Sequence, residues 1–285
     1  MIIRRGMIFE YQDAFGIWFV LATFCLGIGA GLFILSVFYG LVLGKLISLI
    51  FILLELLFLG IEAGHPLRVW KAFGHPRTSW LSRGLIGLTV FFILAMLSVL
   101  QGYKFLPLQE VSSIGWSINV VAVLVAAFLI LYGSMTLARY PSIPAWHSIL
   151  VPSLFVSYGL TSGTAILFFL YPFVNINPIQ LGKTGLIVIL INLILLLMYW
   201  IELSSSSTAA KESARIITRG KVWPYFIIGV VVVGSLIPMI LISGQVYSVL
   251  HQPTILFMTA GVLSLMGSFL FRYVLMKVGI YEIPH

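Results

Sequence analysis

Two carboxylates occupy positions that a membrane makes costly. Glu55 falls in the middle of an apolar run and Glu62 near its end, two helical turns apart and on roughly one face of a helix. A carboxyl at that depth is protonated or paired, and it takes up or releases a proton when a neighbour changes charge. Two chemistries suit it: a proton relay, or a hydrogen bond to the oxygen of a quinone. The plain alternative is a structural pair with a buried Arg or Lys, or a neutral acid bonded to a helix carbonyl. Glu62 also opens the stretch Glu62-Ala-Gly-His-Pro-Leu-Arg-Val-Trp70, which continues through Pro76-Arg-Thr-Ser-Trp-Leu-Ser-Arg83. An acid at a helix end, followed by a basic loop punctuated by Trp, is a layout in which a lipid-soluble substrate and a docked partner can meet.

A second constellation runs from Leu131-Tyr-Gly-Ser134 to Arg139-Tyr-Pro-Ser-Ile-Pro-Ala-Trp-His-Ser148. Tyr132 lies inside the bilayer about two turns from the basic surface, and a buried phenol needs a hydrogen-bond partner. A quinone carbonyl would satisfy it; packing against a neighbouring helix is the plain alternative. Trp80 and Trp146 suit either a pocket or the interfacial aromatic belt. His65 and His147 stand near the mouth of the helices, where an imidazole titrates close to neutrality and exchanges protons with a bound quinol or with solvent. Lys183, at the opposite side, reads as the positive end of a proton relay or as a snorkelling lysine.

These residues need helices to hold them at depth. The chain has 285 residues, 61% hydrophobic and 8% charged, a composition that excludes a soluble domain with a polar shell. Segments at about 16–43, 46–64, 84–103, 117–138, 148–170, 184–202, 224–243 and 255–277 are each long and apolar enough to cross a bilayer. The expected fold is an all-α integral membrane protein of eight transmembrane helices in two four-helix bundles, residues 1–138 and 139–285. The first run is too long for the core of a signal peptide and lacks its cleavage site, and Arg4-Arg5 reads as flanking charge on a membrane helix. Gly27-Ile-Gly-Ala-Gly31 in span 1 and Gly159-Leu-Thr-Ser-Gly163 in span 5 supply small faces for close packing and suggest a duplication. Pro152 and Pro238 are expected to kink their spans. Residues 204–221 read as a polar extension of span 6 or a short surface helix.

The net charge of +8 is unevenly placed. With eight spans, one side holds Arg4, Arg5, Arg68, Lys71, Arg77, Arg83, Arg139, Lys211, Arg215, Arg219, Lys221, Arg272 and Lys277, and the other only Lys45, Lys104 and Lys183. By the positive-inside rule that side is cytoplasmic. The charge suits lipid headgroups or an acidic partner, and nucleic acid is not expected. Cys25 alone holds neither a disulfide nor an iron–sulfur cluster, and it reads as a small apolar side chain. The histidines fall in loops, helix ends or the tail, so no pair of axial haem ligands is placed within the spans. No metal-ligand spacing is present.

Taken in order, these motifs resemble the NrfD-like polysulfide reductase membrane subunit family and, more distantly, the dimethyl sulfoxide reductase anchor. The residues that carry the resemblance are Gly27–Gly31, the acid-x-Gly-x-Pro-x-Arg pattern at Glu62–Arg68, Arg77–Arg83, Tyr132-Gly133, Ile143-Pro-Ala-Trp-His-Ser148, Pro152–Gly163 and Phe271-Arg-Tyr273. The resemblance implies the membrane anchor of a multisubunit respiratory oxidoreductase that is not catalytic by itself. Such an anchor exchanges electrons between quinone, either menaquinone or ubiquinone, and a ferredoxin-like iron–sulfur subunit, usually with a molybdopterin catalytic subunit beyond it. It implies a quinone site at Tyr132, joined here by Glu62, His65, Trp80 and His147, and a proton path through Glu55 and Glu62, with Lys183 a loose match for a basic residue that opposes it. Arg68, Lys71, Arg77, Arg83 and Arg139 form the expected docking surface for the iron–sulfur partner. In span 1, where the family uses polar side chains, this chain has Phe19 and Ala22. The family also places its termini and docking side outside the cytoplasm, opposite to the charge rule. Two rival readings are a redox-coupled proton-translocating module without its own quinone site, and a secondary transporter.

Overall fold

The computed structural model describes residues 2–4, 7–12, 15–64, 73–74, 77, 79–105, 113–247 and 253–281. Within them, short strands β1 (Ile2–Arg4) and β2 (Met7–Tyr11) lead into α1 (Ile17–Phe38), α2 (Val42–Glu62), α3 (Trp80–Gly102), α4 (Ser113–Ala138), α5 (Leu150–Leu170) and α6 (Pro178–Ser205). A short α7 (Thr208–Arg219) follows. The next span is π-helical over Pro224–Leu236 and continues as α8 (Ile237–Val246), and α9 (Pro253–Lys277) precedes β3 (Ile280–Tyr281). Eight of these helical segments are long and apolar enough to cross a membrane, as composition requires, and the chain is a multi-pass membrane protein.

Local chemistry sets the helix ends. Gly40 and Gly64 take the left-handed conformation, at φ +67° and +70°, just past the ends of α1 and α2. A Cβ is disfavoured there, which lets the chain stop and turn sharply. Asn177 caps α6 by accepting from the Ile179 and Gln180 N–H groups, with Pro178 at the first helical position. Ser207 caps α7 through the Ala210 N–H, which makes residues 208–219 a separate surface helix rather than an extension of span 6. Pro152 sits in the first turn of α5, where no intrahelical N–H is needed. Pro238 stands in the first turn of α8, where the π-helical stretch passes into it. Neither proline therefore breaks a regular α-helix at its middle.

The helices pack in an orderly circuit. α1 lies on α2, α2 on α3, α3 on α4 and α4 back on α1; likewise α5 touches α6, α6 touches α8, α8 touches α9 and α9 returns to α5. α1 and α5 join the two circuits, with α4 also touching α5 and α1 touching α9. Burial follows this plan: 78% of the apolar window of α1 is buried against 33% for α2, α4 and α6, whose outer faces meet lipid. The small faces meet each other at the junction. A Cβ on Gly31 would run into the Gly159 carbonyl, and one on Gly163 into the backbone of Gly31. Close backbone approach of this kind is how helices associate where no water drives them together.

The end that carries both termini is tied together. β2 pairs antiparallel with β1 and β3, Tyr11 lying opposite Ile280. Ser213 of α7 donates to the Val278 carbonyl, 2.8 Å away, and Tyr199 of α6 to that of Ala145 at 2.6 Å. Trp146 is fully buried and donates its indole N–H to the Leu275 carbonyl at 2.9 Å, so it is a core residue and not part of the aromatic belt. Two of the charges assigned to the membrane surfaces are buried instead: Lys45 lies within α2 rather than in the loop before it, and Arg272 is enclosed within α9.

Gly31→Ala is expected to lower stability by about 1–3 kcal/mol through overpacking at the α1–α5 crossing. Gly74→Ala, whose Cβ would meet nothing within 4 Å, is expected to leave it unchanged. Thermal unfolding of the two variants in the same detergent compares them.

Candidate functional site

Tyr132 and Glu55 reach comparable depth from different helices. Tyr132 precedes the last residue of α4 by about 9 Å of helix, and Glu55 precedes that of α2 by about 10 Å, at the end shared by the termini. Both are buried, with 4% and 2% of their surface exposed. They lie within electrostatic range of one another, and Cys25 of α1 lies within range of Glu55 as well as of Arg272.

α3 makes room for the phenol. The Tyr132 ring rests on the Cα of Gly84, so closely that any Cβ at that position would meet the ring. Gly133, next along α4, faces Leu26 and Thr23 of α1. The Thr23 hydroxyl is turned back onto its own helix, donating to the Phe19 and Val20 carbonyls. Phe19 and Ala22 are buried, Phe19 against Phe15 with ring centroids 4.3 Å apart.

One buried polar atom at this level lacks a partner. Among the described residues Oε2 of Glu55 is buried and forms no hydrogen bond. Unpaired buried oxygens are uncommon in folded proteins, because each forfeits its hydration without compensation. A phenol O–H can donate to a carbonyl oxygen, and a protonated carboxyl can do the same. The pair thus suits a ligand that offers acceptors in an otherwise apolar setting, as a quinone does.

One turn above Gly84, Trp80 begins α3. The Arg83 guanidinium lies 4.9 Å and that of Arg139 5.8 Å from the centre of its ring. Arg83 also donates to the Arg77 carbonyl at 2.8 Å. Arg77, Arg83 and Arg139 are exposed, so these cations form one basic cluster over the Tyr132 level. His65, Arg68 and Lys71 lie outside the described residues.

Other expected members are placed differently. Glu62 accepts the Gly16 N–H at 2.8 Å and so caps the start of α1, an anion at a helix N-terminus. His147 is exposed and its Nδ1 contacts the Ala138 carbonyl at the end of α4, 2.7 Å away, which makes it a helix-end partner rather than a lining of the Tyr132 level. Lys183 is exposed near the start of α6, a helix that packs on α5 and α8, while the buried Glu55 sits on α2. The fold therefore does not bring Lys183 to Glu55.

Two buried cations were hidden from hydropathy. Lys45 is 2% exposed and donates to Oδ1 of Asn119 at 3.2 Å, and Ser98 donates to the same oxygen at 2.5 Å. Lys45, Ser48, Ile52 and Glu55 recur at helical spacing on the buried face of α2. That spacing was the available signal, but it emerges only once α2 is seen to begin at Val42. Arg272 is fully buried in α9; its Nη1 donates to the carbonyl and hydroxyl of Ser268, while Nε and Nη2 have no partner among the described residues. Gly27 leaves the space that Nη2 occupies, and the rings of Phe24 and Phe155 lie 5.8 and 5.3 Å from the guanidinium.

Comparison with curated proteins gives no match. The sequence model of the family described as polysulphide reductase, NrfD, matches residues 7–284, essentially the whole chain. Subunits of this family interact in general with quinone and anchor iron–sulfur and molybdopterin subunits. An end-to-end match, on a chain that folds into eight membrane-spanning segments, shows that the protein belongs to the NrfD family and is a membrane subunit of respiratory oxidoreductase complexes.

Proposed function

We propose that this subunit binds quinone or quinol at the level of Tyr132 and Glu55, beneath the basic cluster of Trp80, Arg83 and Arg139. The observation that carries the reading is the buried Glu55 Oε2 without a partner, at the depth where the buried Tyr132 ring is held against Gly84. Quinol bound there would release two protons and pass two electrons, one at a time, to the docked iron–sulfur subunit, leaving quinone; the reverse transfer reduces quinone. Tyr132 orients the ring by donating to one of its oxygens, and Glu55 takes or gives a proton at Oε2. The surrounding helices keep water from the site, and Glu62 holds the start of α1 in place beside it. Arg77, Arg83 and Arg139 present the positive surface on which an iron–sulfur subunit docks, with a molybdopterin subunit beyond. His65, Arg68 and Lys71, outside the described residues, are assigned to the same side by sequence position alone. The two helix circuits act as two four-helix bundles, residues 1–138 and 139–285, with the site in the first.

A second reading draws on Lys45. It makes the chain a redox-coupled proton carrier, with protons passing along α2 between Glu55 and the Lys45, Asn119 and Ser98 cluster near the far end. A buried cation such as Lys45, which donates to Asn119, costs several kcal/mol to desolvate, which favours a use for it.

Tyr132→Phe in the purified complex is expected to weaken binding of a quinone analogue by about 3–10-fold, the worth of one hydrogen bond. Glu55→Gln is expected to slow quinol oxidation and flatten its dependence on pH. Wild-type affinity in the Tyr132→Phe and Glu55→Gln double variant contradicts the assignment of the site. In liposomes, Lys45→Gln separates the two readings. Loss of transmembrane proton movement at preserved quinol turnover supports the carrier, and unchanged movement supports a quinone site alone.

A further inference from the structure

The lipid-facing side of the first circuit carries a long furrow between α3 and α4. It consists of two cavities of about 430 and 380 Å³ that share Val121. Its upper part runs below Arg83 and is walled by Gly87, Val90, Leu124 and Phe128; its lower part continues past Leu94 to Ser117. From Arg83 to Leu94 the α3 wall is about 16 Å long. Arg83, exposed and stacked with Trp80, marks the membrane surface, so the furrow below it lies in hydrocarbon.

The furrow ends one helical turn from the Tyr132 level. On α4, Phe128 and Tyr132 are one turn apart and project from the same face; on α3, Gly84 and Gly87 are likewise one turn apart. Tyr132 rests on Gly84, and Phe128 rests on Gly87, where a Cβ would come within 3.0 Å of the ring. The two aromatic rings thus form successive rungs between the helices. The upper rung is buried, whereas Phe128 is 37% exposed and lines the furrow. Of the residues that line the furrow, Phe128 lies one turn along α4 from Tyr132. A ring that rests on a glycine has no side chain opposing its rotation on that face.

We infer that the α3–α4 furrow holds the isoprenoid tail of a long-chain quinone whose head lies at Tyr132, and that the head passes from the bilayer to Tyr132 by displacing Phe128. This rests on the quinone reading above and extends it, since it makes the substrate a long-tailed quinone and gives its path. An apolar furrow that ends one turn from the polar rung matches a molecule with one polar end and one long hydrocarbon end. Gly87 keeps the wall of the furrow low, and Val90 and Val121 face lipid along it.

Val90→Trp and Val121→Trp test the inference, because both positions are well exposed, at 40% and 46%, and tolerate bulk without disturbing the core. Binding to the intact purified complex is measured for two probes with the same ring: 2,3-dimethyl-1,4-naphthoquinone, which has no tail, and a naphthoquinone bearing several prenyl units. Each variant is expected to bind the prenylated probe at least about tenfold more weakly, while affinity for the tailless probe stays within about twofold. Equal losses for both probes, or no loss for either, overturn the inference and leave the Tyr132 site standing. Release of a copurifying phospholipid from the variants, with unchanged affinity for the prenylated probe, assigns the furrow to a bound lipid and overturns it too. A wild-type complex that binds neither probe removes the quinone site itself.

Discussion

The crossing of α1 over α5 is the contact on which the remaining geometry depends. Backbone meets backbone there, because Gly31, Gly159 and Gly163 carry no side chains that would hold the helices apart. With lipid as solvent, apolar side chains gain little by leaving it, so this close dispersion contact supplies what the hydrophobic effect supplies elsewhere. It draws α1 into the centre of the molecule, and every other placement follows from that. α2 and α4 then pack on the remaining faces of α1, which fixes how deep Glu55 and Tyr132 sit relative to each other.

The same crossing concentrates polar groups in one layer. Tyr132, Glu55, Cys25 and Arg272 come from four different helices, yet they lie within about three turns of the end that holds the termini. Cys25 is within electrostatic range of the two charged groups, one on either side of α1. Gly27 has a double use, since it belongs to the small face of α1 and also admits the Arg272 guanidinium. A buried guanidinium is costly, and only part of this one is compensated, by Ser268 and two aromatic faces. The end itself is closed by main-chain partners, with Trp146, Ser213 and Tyr199 each bonded to a carbonyl of a distant segment.

What the sequence disclosed follows the physics of hydropathy. The number and order of the spans, the presence of a small face on spans 1 and 5 and the depth of Tyr132 are readable, because length, apolarity and glycine spacing determine them; that the two small faces meet each other is seen only in the fold. Helix ends are less readable. A window of apolar residues starts too late when a helix opens on a buried lysine, so α2 was expected to begin after Lys45 and the contact with Asn119 went unseen. Arg272 reads as surface charge for a related reason: a guanidinium near a helix end resembles a snorkelling one until the glycine across from it is located. Trp146 looked interfacial because it sits between spans, but its segment folds inward under the C-terminal strand. The roles of Glu62 and His147 as helix-end partners depend on Gly16 and Ala138, contacts between separate segments that no local pattern encodes. The furrow between α3 and α4 was invisible for the same reason, since it exists only once Gly84 and Gly87 face Tyr132 and Phe128.

The central claim is that a quinone head occupies the layer beside Tyr132. Photolabelling of the intact complex with an azidoquinone, followed by mapping of the adduct by mass spectrometry, addresses it most directly. The account predicts labelling of α3 or α4 within about one turn of Gly84 or Tyr132, and competition by unlabelled quinone. Competed labelling confined to α5 and α9, around Arg272, would contradict it.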